Sequence, residues 1–274
     1  MTDDITAFVR SACRVEPGEK SNLGERATDD RLRIEKGGAQ GLLAERTARL
    51  SVLHGRLHAE RKRSVLLVLQ GLDASGKDGT IRRVFTGLNP QGCDVESFNV
   101  PTPTEAAHDY LWRIHRAMPA RGDIGIFNRS HYEDVVAARV IGAIDDDQRK
   151  RRYEHINNFE KMLLDEGTTM VKIFLHVGKD EQRRRLQARL DDPEKRWKFD
   201  RSDLETRKRW DEYLRLYDSA ITATSTKWAP WYVVPADHKW VSGVAAATIL
   251  LHTLDKLDPK IPPPKEPLDG IVVP

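Results

Sequence analysis

The chain lacks most of the features that assign a protein to a class at a glance. It has two cysteines in 274 residues, Cys13 and Cys93. Two are too few for a disulfide framework, and nothing near them has the paired spacing of a zinc site. No uninterrupted apolar stretch approaches the roughly 20 residues that a membrane-spanning helix needs. The opening Met-Thr-Asp-Asp-Ile is acidic and has no apolar centre, so it does not read as a secretory signal. A cytoplasmic protein without a membrane partner is the expectation. Charge of one sign is also missing. Lys and Arg number 45 against 42 Asp and Glu, a net +3, so the distribution of charge carries more information than its sum. There is no internal repeat. What remains is a 39 % hydrophobic content, enough for a real core in one large domain or two small ones.

Hydrophobic periodicity divides the chain into alternating elements. Residues 42–63 carry large apolar side chains at helical spacing. Residues 64–70, 94–100, 123–127, 169–177 and 231–235 read as strands. Residues 81–85, 104–118, 147–166, 180–190, 202–222 and 241–257 read as helices. Thr104 looks like the cap of the 104–118 helix, and Ser202 with Glu205 three residues later like the cap of the 202–222 helix. Such alternation predicts an α/β fold, a parallel five-stranded sheet with helices on both faces. Residues 1–40 read as an N-terminal arm lying on the body, residues 41–258 as the phosphate-binding domain, and residues 259–274 as an extended Pro-rich tail.

The densest signal is Gly71-Leu-Asp-Ala-Ser-Gly-Lys-Asp-Gly-Thr80, between the 64–70 strand and a helical segment. Strand, glycine loop, lysine and helix make a P-loop. Gly71 and Gly76 permit the tight turn, and Ala74, Ser75, Asp78, Gly79 and Thr80 bring their backbone to the cradle. The helix start and Lys77 supply positive charge for phosphate oxygens. The Ser or Thr that usually follows the lysine, and usually touches Mg²⁺, is absent; Asp78 stands there. A carboxylate within such a loop repels phosphate unless a cation lies between them, so Asp73 is the candidate metal ligand, for Mg²⁺ or alternatively Mn²⁺. The bland alternative is a Gly-rich turn with solvated charges, which the flanking strand and helix disfavour.

Two further clusters accompany the loop. Phe127-Asn-Arg-Ser-His-Tyr-Glu-Asp134 follows the 123–127 strand, on the rim where ligands bind in parallel sheets. Arg129 suits bidentate phosphate contact, and Asn128 and Glu133 are candidate catalytic neighbours. His131 reads as a hydrogen-bonded rim residue and not as a general base, because a nucleotide's acceptor phosphate is already ionised at neutral pH. The second cluster is basic and runs from Arg183 to Arg209 around the break Asp191-Asp192-Pro193. About half of it reads as solvated helix faces. The rest has the makings of a helical lid over about residues 180–209, with Trp197 and Phe199 packing it or, as the less favoured alternative, stacking on a base.

Taken in order, the loop at 71–79, the 127–134 segment and Asp191-Asp-Pro-Glu-Lys-Arg-Trp-Lys-Phe199 resemble the family-2 polyphosphate kinases. The resemblance extends from about residue 42 to residue 257. It implies a thymidylate-kinase-like P-loop kinase fold and Mg²⁺-dependent transfer of a phosphoryl group between inorganic polyphosphate and a nucleotide. ADP, GDP and AMP would be acceptors, giving ATP or GTP. Asp73 would hold the metal, Lys77 would bind the transferring phosphate, and Arg129 would clamp polyphosphate or acceptor. Arg185, Arg189 and Lys198 would be lid or chain-binding cations. A homotetramer is implied as well. Two rivals stay open: an ATP-dependent nucleotide or small-molecule kinase of the same fold, and a non-catalytic NTP-binding module that holds nucleic acid. The basic residues are not regularly interleaved with aromatics, which weighs against the nucleic-acid reading.

Overall fold

The computed structural model describes residues 2–273. Its elements in chain order are α1 (Thr2–Cys13), β1 (Arg14–Val15), α2 (Ala39–Glu60), β2 (Ser64–Gln70), α3 (Lys77–Phe85), β3 (Cys93–Ser97), α4 (Pro103–Ala106) and α5 (Trp112–Arg116). There follow β4 (Ile124–Asn128), α6 (Ala137–Val140), α7 (Asp146–Asp165), β5 (Thr168–His176) and α8 (Lys179–Asp191). The chain closes with α9 (Ser202–Lys208), α10 (Trp210–Thr224), β6 (Trp231–Pro235) and α11 (Lys239–Leu257).

The strands form one sheet in the order β1-β6-β5-β2-β4-β3. All seven residues of β2 are buried, as a central strand covered on both faces requires. It pairs in parallel with β4 and β5, Val65 opposite Ile124 and Thr169. One helical layer is α11 packed with α1, α2 and α3; α7 and α10 form the other. Because β2, β4 and β5 run the same way, the loops after Gln70, Asn128 and His176 emerge at one end of the sheet.

The sheet corrects the expected five parallel strands. A sixth strand, β1, comes from the arm and runs antiparallel to β6, with Arg14 opposite Tyr232 and Val15 opposite Trp231. It covers what would otherwise be an open edge of unpaired backbone groups. The arm is then tied to α10. The Asp218 carboxylate accepts from Ser21 Oγ at 2.6 Å and from the Leu23 N–H at 2.8 Å.

Two expected helices are broken. The 104–118 segment holds the short α4 and α5, and Thr102, not Thr104, caps α4. Its hydroxyl accepts from Glu105 N–H, while Glu105 Oε2 accepts from Thr102 N–H. Asp109 then accepts from Leu111 N–H in a turn that separates the two helices. The 202–222 segment is interrupted at Arg209 into α9 and α10. Ser202 is not a cap; the Asp200 carboxylate accepts from its N–H at 2.7 Å. Residues 259–273 form no helix or strand. Among the described residues no helix is long and apolar enough to cross a membrane.

The Asp218 carboxylate holds two donors of the arm. Asp218→Ala is expected to cost about 1–3 kcal/mol in urea unfolding followed by circular dichroism; an unchanged midpoint would show that the arm is held without it.

Candidate active site

The P-loop begins directly after β2, beside the end of β5. Gly71 has φ +149°, and a Cβ there would lie 2.7 Å from both Leu175 O and Ser75 Oγ. Gly76 has φ +106° and sits directly before α3. Only glycine adopts these angles without strain, which explains the spacing of the two. Ala74 takes φ +58° between them, an uncommon conformation for a residue with a Cβ.

The loop carbonyls are gathered inward. Arg185 donates to Ala74 O at 3.0 Å and to Ser75 O at 2.9 Å through Nη1, and to Ala236 O and Asp237 O through Nη2. Its Nε meets Glu181 at 2.7 Å. Gln182 Nε2 donates to Asp73 O at 2.9 Å, and Lys77 Nζ donates to Gly71 O at 2.7 Å and Leu72 O at 3.4 Å. With the carbonyls bound behind the loop, the first amides of α3, which have no intrahelical acceptors, are left for an anion at its mouth. Arg185 is therefore a correction to the expected phosphate-binding cations. It lies beneath the loop, 9 % exposed, with its donors committed to backbone carbonyls and to Glu181. Ser75 and Thr80 are also buried. Thr80 Oγ1 accepts from Arg83, and Gly79 leaves room for that same guanidinium, 3.2 Å from where its Cβ would be. These residues back the loop, and what they offer at its mouth is backbone.

The second wall comes from the turn after β4. Arg129 has φ +64°, a conformation that persists in a bulky residue only where its surroundings hold it. Its N–H bonds Leu69 O at 3.0 Å, and its guanidinium meets Asp73 Oδ1 at 2.9 Å. Asn128 Nδ2 donates to Asp78 Oδ1 at 2.9 Å, and Lys198 lies 3.5 Å from Asp78 Oδ2. Thus Asp78, in the place of the usual hydroxyl, joins the P-loop helix to the β4 end and to the basic segment. Arg189 pairs with Asp203 at 3.3 Å. Glu133 is half-buried and faces Tyr217 Oη at 3.3 Å. With its amide nitrogen turned toward Glu133 at 2.8 Å, Gln70 also reaches Tyr217 at 3.2 Å and accepts from Ser130 N–H and Oγ at 3.0 Å each.

The structure thus brings Asp73, Lys77, Asp78, Asn128, Arg129, Glu133 and Lys198 to one mouth. It moves two residues elsewhere. His131 is fully buried, 3.4 Å from Glu160, and is not on the rim. Trp197 is 78 % exposed beside the Lys198 ammonium and does not pack the lid; Phe199 is half-buried. Gln182, Asp203 and Tyr217 are the residues that the sequence reading missed. Gln182 and Tyr217 lie more than 80 positions from Asp73 and Glu133, Asp203 lies across the Asp191-Asp192-Pro193 break from Arg189, and no motif marks them.

Electrostatics follow from this packing. Burial pushes the Lys77 ammonium down to about 8, with Arg129 adding to the shift and Asp73, Glu133 and Asp78 opposing it. Burial raises the Glu133 carboxyl against the pull of Arg129 and Lys77. Asp203 is raised by burial and then by the charge of Asp73. Burial works against ionisation of Asp78, but the Asn128 hydrogen bond and Lys198 outweigh it and hold it low. Asp73 therefore raises both Glu133 and Asp203, a concentration of negative charge that a cation would relieve. No group of three or more His, Cys, Asp or Glu among the described residues forms a cage for a metal. The arrangement fits Mg²⁺ in the manner in which that ion is usually held, by one or two carboxylates together with substrate phosphates.

Comparison with known proteins agrees along the chain. The family described as Polyphosphate kinase 2 (PPK2) matches residues 33–262. An AMP/ADP-polyphosphate phosphotransferase of Meiothermus ruber is 50 % identical over 262 residues, covering 95 % of this chain and 98 % of that protein. An ADP-polyphosphate phosphotransferase of Rhodopseudomonas palustris is 43 % identical over 262 residues, 91 % of each. The crystal structure of polyphosphate kinase 2 from Arthrobacter aurescens TC1 superposes with a TM-score of 0.91 at 41 % identity, covering 95 % of this chain and 93 % of that one.

Arg185→Leu would leave the carbonyls of Ala74, Ser75, Ala236 and Asp237 without their donor. A loss of about 3 kcal/mol in denaturant unfolding is expected. A variant as stable as the wild type would mean that the loop holds its own shape.

Proposed function

The chain belongs to the polyphosphate kinase 2 family and is a polyphosphate:nucleotide phosphotransferase, and from that premise we propose how its residues divide the work on AMP and ADP. The observation that carries the assignment of roles is the convergence of Lys77, Arg129 and the amides of the P-loop on one mouth, next to a carboxylate, Asp73, that is ion-paired to Arg129.

The amides at the start of α3 and Lys77 bind the phosphate to be transferred. Lys77 Nζ donates to Gly71 O; a phosphate at the loop offers full negative charge and competes for the ammonium. Arg129 exchanges Asp73 for phosphate oxygens. The Asp73 carboxylate thus released would hold Mg²⁺, which would supply neutralisation of phosphate charge. An oxygen of the AMP or ADP terminal phosphate attacks the end phosphorus of the polyphosphate. The bridging P–O bond breaks, and the chain leaves one phosphate shorter. The attacking oxygen is already ionised and needs no base. Lys77 and Arg129 offset the charge that spreads over the transferring group, so the chemistry is positioning and electrostatics. Glu133, beside Arg129, orients the guanidinium. Lys198 and Arg189, each now paired with a carboxylate, come to the polyanion when it displaces Asp78 and Asp203. Both acceptors fit this scheme because AMP and ADP each present an ionised terminal phosphate, and the relative from M. ruber is an AMP/ADP-polyphosphate phosphotransferase.

The direct assay is ATP formation by luciferase from ADP, and from AMP through ADP, with polyphosphate and Mg²⁺. Absence of nucleotide product across metal and salt conditions would overturn the assignment. Lys77→Ala is expected to lower turnover by about a thousandfold with the far-ultraviolet circular dichroism unchanged. Most of the activity surviving in folded Lys77→Ala would remove that lysine from the site.

The lowered Lys77 pKa gives a pH dependence with a definite sign. In the free protein the ammonium is present below about 8 and is lost above it. Polyphosphate favours the charged form and pulls the proton back. Affinity is therefore expected to fall as pH rises past 8, and binding at pH 9 to take up close to one proton, about a full charge. Calorimetry in two buffers of different ionisation enthalpy measures this. Binding at pH 9 with no buffer dependence would show that Lys77 is already charged.

A further inference from the structure

Beneath the site lies a charged cluster that the transfer chemistry does not use. Lys172 occupies the middle of β5, within an otherwise apolar run, and is fully buried. Its Nζ donates to Glu160 Oε2 at 2.6 Å, to Tyr132 Oη at 3.0 Å and to Thr224 O at 2.8 Å. Glu160, on α7 and equally buried, also accepts from Tyr132 Oη at 2.8 Å and lies 3.4 Å from His131 Nε2. His131 Nδ1 is buried without a partner, which leaves Nε2 as the nitrogen that donates to Glu160. Burial would raise the Glu160 carboxyl, but Lys172 and His131 hold it low; burial lowers the Lys172 ammonium against the pull of Glu160.

The positions of these residues give the cluster its meaning. Arg129 and Glu133 face the site, while Ser130, His131 and Tyr132 between them are buried. Glu160 holds two of those three, and Gln70 holds Ser130. The Tyr132 ring packs edge-on against Trp231 at 4.7 Å, and Trp231 Nε1 donates to Thr224 Oγ1 at 2.9 Å. Thr224 ends α10, the helix whose Tyr217 meets Glu133. One buried node therefore ties together the β4 turn, α7, β5 and α10. A buried ion pair is weak evidence for stability, since apolar residues of similar volume often do as well or better. It does impose directions, which apolar packing does not. Arg129, held at a positive φ in the same turn, needs such direction.

We propose that the Lys172–Glu160 pair is a positioning device for the transfer reaction, fixing His131 and Tyr132 so that the strained turn presents Arg129 and Glu133 to the phosphates. This rests on the phosphotransferase reading of the site. Lys172 and Glu160 touch no substrate in it; they act through the turn.

The test replaces the pair by apolar side chains, Lys172→Met with Glu160→Leu, and measures Tm, kcat and KM for ADP and polyphosphate per folded molecule. The expected result is a folded protein that melts lower, because Thr224 O, Tyr132 Oη and His131 Nε2 lose buried partners, with kcat reduced about tenfold or more and both KM values within about threefold, because small displacements of a charge-stabilising group are felt in the transition state. Unchanged kcat in the folded double variant would overturn the proposal. So would a lowered Tm with unchanged kcat, the mark of a purely structural pair. Should the double variant not fold, Tyr132→Phe decides the matter. It removes one hydroxyl from the node, and a kcat within twofold of wild type would overturn the proposal, whereas a several-fold loss at unaltered KM supports it. Failure of the wild type to form ATP in the same assay would overturn the phosphotransferase reading instead, so the two failures are distinguishable.

Discussion

A loop that turns its amides toward an anion must find other partners for its carbonyls. In this protein that requirement is met from α8. Arg185 and Gln182 take the oxygens of Asp73, Ala74 and Ser75, and Arg185 joins them to the backbone at Ala236 and Asp237 after β6. Glu181 sits against the same guanidinium. The buried charge is paired, hydrogen-bonded and rigid, the condition under which burying a charge is tolerated. Asp237 carries the tie further, since its carboxylate accepts from Gly178 N–H at 2.7 Å and from Thr28 Oγ1 at 2.8 Å. The arm, α8 and the last strand therefore all bear on the shape of the P-loop.

The cations in and near the mouth are engaged by the protein's own groups. Arg129 is on Asp73, Lys198 on Asp78, Arg189 on Asp203 and Lys77 on two carbonyls. A site for a polyanion that held these charges unpaired would suffer repulsion among them in the free state. Pairing removes that repulsion, and under the proposed mechanism binding is an exchange of carboxylate for phosphate. Exposure grades the exchange. The Asp78–Lys198 pair is open to solvent, with side chains 67 % and 39 % exposed, and is screened; the Asp73–Arg129 pair, at 18 % and 37 %, is less so. The outer cation is thus the easier to recruit, and the inner one responds to a multiply charged phosphate at close range.

Much of this was readable from the chain because it is local. The spacing of Gly71, Gly76 and Lys77 is dictated by backbone geometry, and five of the strands are continuous apolar or alternating runs. The sixth strand is two residues long, too short for any periodicity, and exists because β6 has an edge to cover. The breaks at Asp109 and Arg209 depend on turns and tertiary packing that helical propensity does not anticipate. Within the site, Arg185 and Arg189 lie four residues apart on α8, so spacing places both on one face. Depth separates them: one reaches under the P-loop and the other stops at Asp203. Charge and spacing are the same for both, and only the fold distinguishes a prop from a candidate ligand.

Asp78 shows how the departure from the usual P-loop is accommodated. A hydroxyl at that position would place a neutral oxygen close to the metal. A carboxylate there adds negative charge beside bound phosphate, and without a partner it would weaken the site. The structure supplies two partners, the Asn128 amide and the Lys198 ammonium. Asn128 donates to Asp78, whereas an Asp at the end of β4 would place two carboxylates together. The amide at 128 and the acid at 78 are therefore complementary. Each accounts for the other, and Lys198 links both to the segment after α8. Under the proposed mechanism a site for a charged chain gains from this arrangement, because the lysine that steadies Asp78 is the one offered to phosphate.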